Sequence, residues 1–178
     1  MRMSVHLKPT LTLATPLIGA LILGTACSGM GEDPPLGDIS VELGTGSSSF
    51  EPLQDGDDIY ITQGPQGGYH FFGSARIKGL IPGTHDDLAD PDNPTTEFRI
   101  FRGNQRVDGN IANYVQGYEP VPGSDLSEMH SRIVIIDIEH DSELDGDEVR
   151  FEVTVTDADG VSASDERTLT AIRHPNNI

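Results

Sequence analysis

The sequence predicts an all-β protein: an antiparallel β-sandwich of about 7–8 strands. Three observations carry that expectation. Apolar and polar residues alternate with a period of two through most of the chain beyond residue 38. The alternating runs are short and bounded by Gly, Pro, Asn and Asp, and no segment shows the apolar spacing of an amphipathic helix. The chain has 178 residues, 35% hydrophobic and 22% charged, which suits one domain with one core.

The elements follow in order. Ile39, Val41 and Leu43 alternate with Ser40 and Glu42, and Ile59 and Ile61 with Tyr60 and Thr62. Further strands are expected at Tyr69 to Lys78, Glu97 to Arg102 and Ile111 to Tyr118. The run Ile133-Val134-Ile135-Ile136, within a strand from Arg132 to Glu139, is apolar on both faces and reads as a central strand covered on both sides. Val149, Phe151, Val153 and Val155 point one way and Arg150, Glu152, Thr154 and Thr156 the other, and Glu166 to Ile172 closes the set. Between them, Pro82 to Pro94 carries Asp86, Asp87, Asp90, Asp92 and Asn93 and reads as a flexible, solvated acidic loop.

The amino terminus has a different character. Arg2 and Lys8 are the only charges before Glu32, and an apolar stretch from Leu11 to Leu23 is too short and too interrupted to span a bilayer. It runs into Leu23-Gly24-Thr25-Ala26-Cys27, small residues before the chain's single Cys. This segment resembles a bacterial lipoprotein signal with its lipobox, although Gly24 stands where that family usually carries Leu. The resemblance implies export, cleavage before Cys27, and lipid on Cys27 as a membrane anchor, with Ser28 favouring the outer membrane. The expected organisation is a signal peptide over 1–26, a lipidated Cys27 with a flexible tether over 27–37, the sandwich over 38–174 and a tail over 175–178.

The stretch Leu144 to Gly160 followed by Ser162 to Leu169 resembles the last two strands of bacterial Ig-like, PKD-like and cadherin-like domains. That similarity implies a single Ig-like sandwich, with Phe151 where many such domains place a corner tyrosine. Gly64-Pro65-Gln66-Gly67-Gly68-Tyr69-His70, with Leu43 to Gly46 and Phe50, is also similar to uncharacterised bacterial lipoproteins. Neither resemblance carries chemistry.

One spacing points to a metal. Asp141, Glu143, Asp145 and Glu152 fall at positions 1, 3, 5 and 12 of a calcium loop, with Gly146 at position 6 and Asp147 beside it. Calcium takes hard oxygens around a sharp turn, so these five carboxylates are the candidate ligands and calcium the candidate cofactor. A looser site on Asp157 and Asp159 is the alternative. Against both stands an ordinary acidic turn, since Glu148 occupies the usual apolar position and strands flank the loop.

Other classes fall away. A net charge of −18, which loss of Arg2 and Lys8 with the signal takes to −20, disfavours nucleic acid. Beyond the signal the five His are scattered, no catalytic motif occurs, and no exposed aromatic stripe is legible for sugars. The expectation is a non-enzymatic envelope lipoprotein, tethered to membrane through Cys27, acting as a structural or interaction module for an envelope or extracellular partner. Calcium-dependent adhesion is the second reading; a metal carrier or enzyme with a non-local site is the third.

Overall fold

The computed structural model describes residues 38–109 and 113–177. The segments read from the sequence as a signal peptide and a tether, with Cys27 between them, therefore lie outside the described residues. Eleven strands are present: β1 (Ser40–Thr45), β2 (Glu51–Pro52), β3 (Asp58–Gln63), β4 (Tyr69–Lys78), β5 (Thr95–Arg102), β6 (Gln105–Arg106), β7 (Asn113–Val115), β8 (Glu119–Pro120), β9 (Leu126–Ile136), β10 (Glu148–Thr156) and β11 (Ser162–Arg173). Seven of these have six residues or more. A single 3-10 turn, Asp141–Glu143, is the helical element among the described residues.

The strands form a sandwich. β4 pairs with β9 along one edge and with β1 and the end of β3 along the other, and β8 pairs with β9. In the second sheet β10 lies between β5 and β11. β3 joins both sheets: Thr62 and Gln63 pair antiparallel with β4, while Asp58 to Ile61 pair parallel with β11. Strands β3, β4, β8 and β9 thus occupy places A, B, D and E of an Ig-like sandwich, and β5, β10 and β11 places C, F and G. β1 and β2 are an addition on the edge of β4.

The inward residues are those the alternation picks out. Val149, Phe151, Val153 and Val155 are all buried, as are Leu43, Ile59, Ile61, Ile77 and Ile100. Phe151 lies between Phe71 and Phe98, with ring centroids 6.0 and 5.7 Å away. Gly73 faces Phe98 so closely that a Cβ would sit 2.9 Å from its ring, so a larger residue there would force the sheets apart.

Three expectations need correction. The run Ile133 to Ile136 is not covered on both sides: Val134 and Ile136 are buried, but Ile133 and Ile135 are 48% and 42% exposed. A bulge decides which pair faces out. Between the pairs Gly73↔Arg132 and Ala75↔Met129, β9 spends two residues, His130 and Ser131, against one on β4. This reverses the alternation of β9, so that Met129 faces in before the bulge and Val134 and Ile136 after it.

The acidic loop is wound rather than open. Successive turns run from Thr84 to Asn93, and buried Asn93 holds them by accepting from the Thr84 amide and donating to the Asp87 carbonyl. The end of the chain also belongs to the domain. Asn177 accepts from the Gln63 amide and donates to the Ile61 carbonyl and to Asp141.

Candidate functional site

The five carboxylates expected to hold calcium are used elsewhere. Asp141 is buried, accepts from Asn177 at 3.0 Å and pairs with Arg173 at 2.8 Å. Glu143 accepts from the amides of Glu139 and His140, closing the 3-10 turn. Asp145 accepts from the Arg173 amide, and Asp147 pairs with Arg102. Glu152 lies mid-strand on β10 and pairs with Arg150. The spacing is real, but a 3-10 turn followed directly by a strand carries Glu152 away from the others. Among the described residues no three His, Cys, Asp or Glu are placed to share a metal ion.

The alternative acids are structural as well. Asp157 is buried, accepts from the Asp159 and Val161 amides, and reaches Ile81 after β4 at 3.2 Å. It fixes the β10–β11 hairpin against the other sheet.

A different region gathers unexplained chemistry: the outer face of β3, β4 and β9. Its lower part is charged. Arg76 on β4 bridges Glu42 on β1 and Glu128 on β9, at 3.0 and 2.6 Å, and covers the Phe50 ring at 4.1 Å. Gly44 permits this, because a Cβ there would stand 2.5 Å from Phe50. Above the bulge the same face turns apolar. Phe72 pairs across the strands with Ile133, and His70 with Ile135.

Two clefts open on this upper face. One, of about 500 Å³, is bounded by Gly64, Pro65, His70, Ile133 and Ile135. The other, of about 470 Å³, lies between the β1–β2 turn, β3 and the residue after β11, with Glu51, Asp58, Tyr60, Phe72 and His174 in its walls. Tyr60, 50% exposed, meets the His174 ring edge-on at 5.3 Å. The clefts adjoin through His70 and Phe72, whose rings are 4.9 Å apart and nearly perpendicular. A third hollow, of about 410 Å³, overlies β10 and β11 and is walled largely by polar residues that bond to one another, such as Thr154 with Ser164.

His70 is the most unusual group on the face. It is buried, and its Nε2 has no hydrogen-bond partner among the described residues. Burial favours the uncharged imidazole and lowers its pKa. Elsewhere burial raises the pKa of the Tyr118 hydroxyl, which is hydrogen-bonded to the Thr96 hydroxyl at 2.6 Å.

Sequence reasoning missed this face for a physical reason. Tyr60, Phe72, Ile133 and His174 come from four separate stretches: Tyr60 and Phe72 each read alone as one outward residue of a strand, Ile133 as part of a covered central strand, and His174 follows the last expected strand. The one available signal was the doubly apolar run at Ile133 to Ile136.

No protein-family model matches the chain. None of the curated proteins matches it. Among solved structures it is similar to the CooA pilin subunit of enterotoxigenic Escherichia coli, at 9% identity and a TM-score of 0.34, over 76% of this chain and 99% of that one.

Proposed function

We propose that the protein is a non-enzymatic lipoprotein of the bacterial envelope, exported and anchored in the outer membrane through lipid on Cys27, whose Ig-like sandwich binds an envelope or extracellular protein. The lipobox-like end of the signal segment supports the anchor. The observation that carries the binding role is the apolar strip formed by exposed Tyr60, Ile133 and Ile135 with half-buried Phe72 between them. A contiguous apolar patch left open to water costs solubility and marks a surface that a partner covers.

Two measurements test this. Metabolic labelling with an alkyne fatty acid is expected to mark the full chain and to fail in Cys27→Ser; a label that survives the change removes the anchor. A photo-crosslinking residue at Ile135 is expected to trap one defined envelope protein, while the same residue at outward-facing, half-buried Thr154 on the opposite sheet does not. Equal trapping from both faces removes the binding role.

A further inference from the structure

We infer that the apolar face receives an extended protein segment carrying a cationic side chain and, two residues away, an aliphatic one. This rests on the binding role proposed above and specifies its partner. The argument begins with two acids. Glu51 and Asp58 line the cleft beside Tyr60 and Phe72, and neither carboxylate has an ion-pair or hydrogen-bond partner among the described residues. Glu42 and Glu128 are paired with Arg76, Asp165 with Arg167 and Asp141 with Arg173, whereas Glu51 and Asp58 stand unpaired together in one cleft beside two aromatic rings.

A partner that covers the strip must take Glu51 and Asp58 out of water. Removing an unpaired carboxylate from water is costly, and a like charge in the partner makes it worse. A neutral segment would lose this desolvation energy without return. A Lys or Arg side chain offsets it twice, by pairing with the carboxylates and by lying over the ring faces of Tyr60 and Phe72.

The adjoining cleft sets the second requirement. Its exposed walls are Ile133 and Ile135, with neutral His70 beside them, so it suits an aliphatic side chain and offers no charge. The two clefts meet across the His70–Phe72 pair, whose rings are 4.9 Å apart. Residues i and i+2 of an extended chain point the same way and stand about 7 Å apart, which spans that junction.

The test uses the full chain in mild detergent and three acetylated, amidated tripeptides: arginine-alanine-leucine, its citrulline-alanine-leucine analogue, and arginine-alanine-serine. Citrulline keeps the shape of arginine without its charge. The expected result is that the first peptide shifts the NMR signals of Tyr60, Phe72, His174 and Ile135, and that either replacement weakens binding by about tenfold. Glu51→Gln with Asp58→Asn, both surface changes, is expected to weaken the arginine peptide by a similar factor and leave the citrulline peptide unchanged. If the citrulline peptide binds this face as tightly as the arginine peptide, the cationic requirement is overturned and the binding role stands. If a neutral oligosaccharide such as chitotriose shifts Tyr60 and Phe72 while no peptide does, the inference is overturned in favour of a sugar. If no probe shifts the face, the inference is overturned, and the Ile135 crosslinking decides the binding role separately.

Discussion

The carboxylate of Asp165, on β11, accepts the backbone amide of Leu43, on β1, at 2.8 Å, so one side chain joins the edge of one sheet to the edge of the other. Arg167 holds that carboxylate and donates to the Leu53 carbonyl at 2.9 Å, extending the link to the chain beyond β2. The added strand β1 therefore has a lateral fastening as well as its pairing with β4. Asp165→Ala should leave the Leu43 amide without a partner and lower stability by about 1–3 kcal/mol, with Asp165→Asn losing less because an acceptor remains. Chemical denaturation checks this, and an alanine variant as stable as the parent would show that the fastening contributes nothing.

Ser131 holds the bulge at φ 64, a conformation that costs a residue with a Cβ about 1–2 kcal/mol. Its amide lies 3.4 Å from the Ser74 hydroxyl, a weak return. Ser131→Gly should therefore raise the melting temperature, corresponding to about 1 kcal/mol, and Ser131→Val should lower it. Opposite signs for the two variants are the expected pattern; a loss in both would mean the strain is absent.

His70 gives the fold a dependence on acid. Its neighbours on the strands to either side, Thr62 and Ile135, and the perpendicular Phe72 ring carry no charge to stabilise an imidazolium. Because the folded pKa is lowered, the unfolded chain binds the proton first. Stability is then complete above about pH 6.5, the unfolded value, and declines as pH falls from there toward the folded pKa. Denaturation midpoints for the parent and His70→Gln, followed from neutral to mildly acidic pH, should converge as pH falls. Parallel curves would contradict the assignment.

The reversal of alternation in β9 predicts unequal costs for adjacent residues. Ile136 is 2% exposed, so Ile136→Ala should cost about 2–5 kcal/mol. Ile133→Thr and Ile135→Thr, on the open face, should each cost under about 1 kcal/mol. Ile133→Thr should also abolish crosslinking from the probe at position 135 while leaving the thermal transition nearly in place. Equal destabilisation at Ile135 and Ile136 would place both in the core.

Asp141 separates a structural anchor from a calcium ligand. Through Asn177 and Arg173 it ties the chain end and β11 to the 3-10 turn. Asp141→Ala should lower the melting temperature by the same amount in EDTA and in calcium, equivalent to about 1–3 kcal/mol. A loss seen only in calcium would restore the metal reading of that loop.

Particular residues show what could be read before folding. Tyr69 to Lys78 was legible to its exact ends, since its alternation is bounded by glycines and its inward positions are apolar. The final hairpin was legible as well, although its last strand begins at Ser162, four residues before the expected Glu166. The first half of β9 was not, because Ser127, Glu128, His130 and Ser131 are polar and the bulge breaks the period there. The strand expected over Ile111 to Tyr118 reduces to Asn113–Val115 among the described residues. The calcium spacing was misleading because linear spacing cannot distinguish a turn that closes on a metal from one that closes on its own amides.

The sequence by itself determined the fold class and the inward set of residues, because a period of two leaves each strand one apolar face to bury. It also carried the resemblance of the residues before Cys27 to a lipobox, a local pattern that needs no fold. Only the tertiary structure decided the open face. An extra residue opposite Ser74 turned Ile133 and Ile135 outward, and the pairing of β3 with both sheets brought Tyr60 and His174 beside Phe72. Those relations depend on register between distant strands, and register is set by the packing of the whole sandwich.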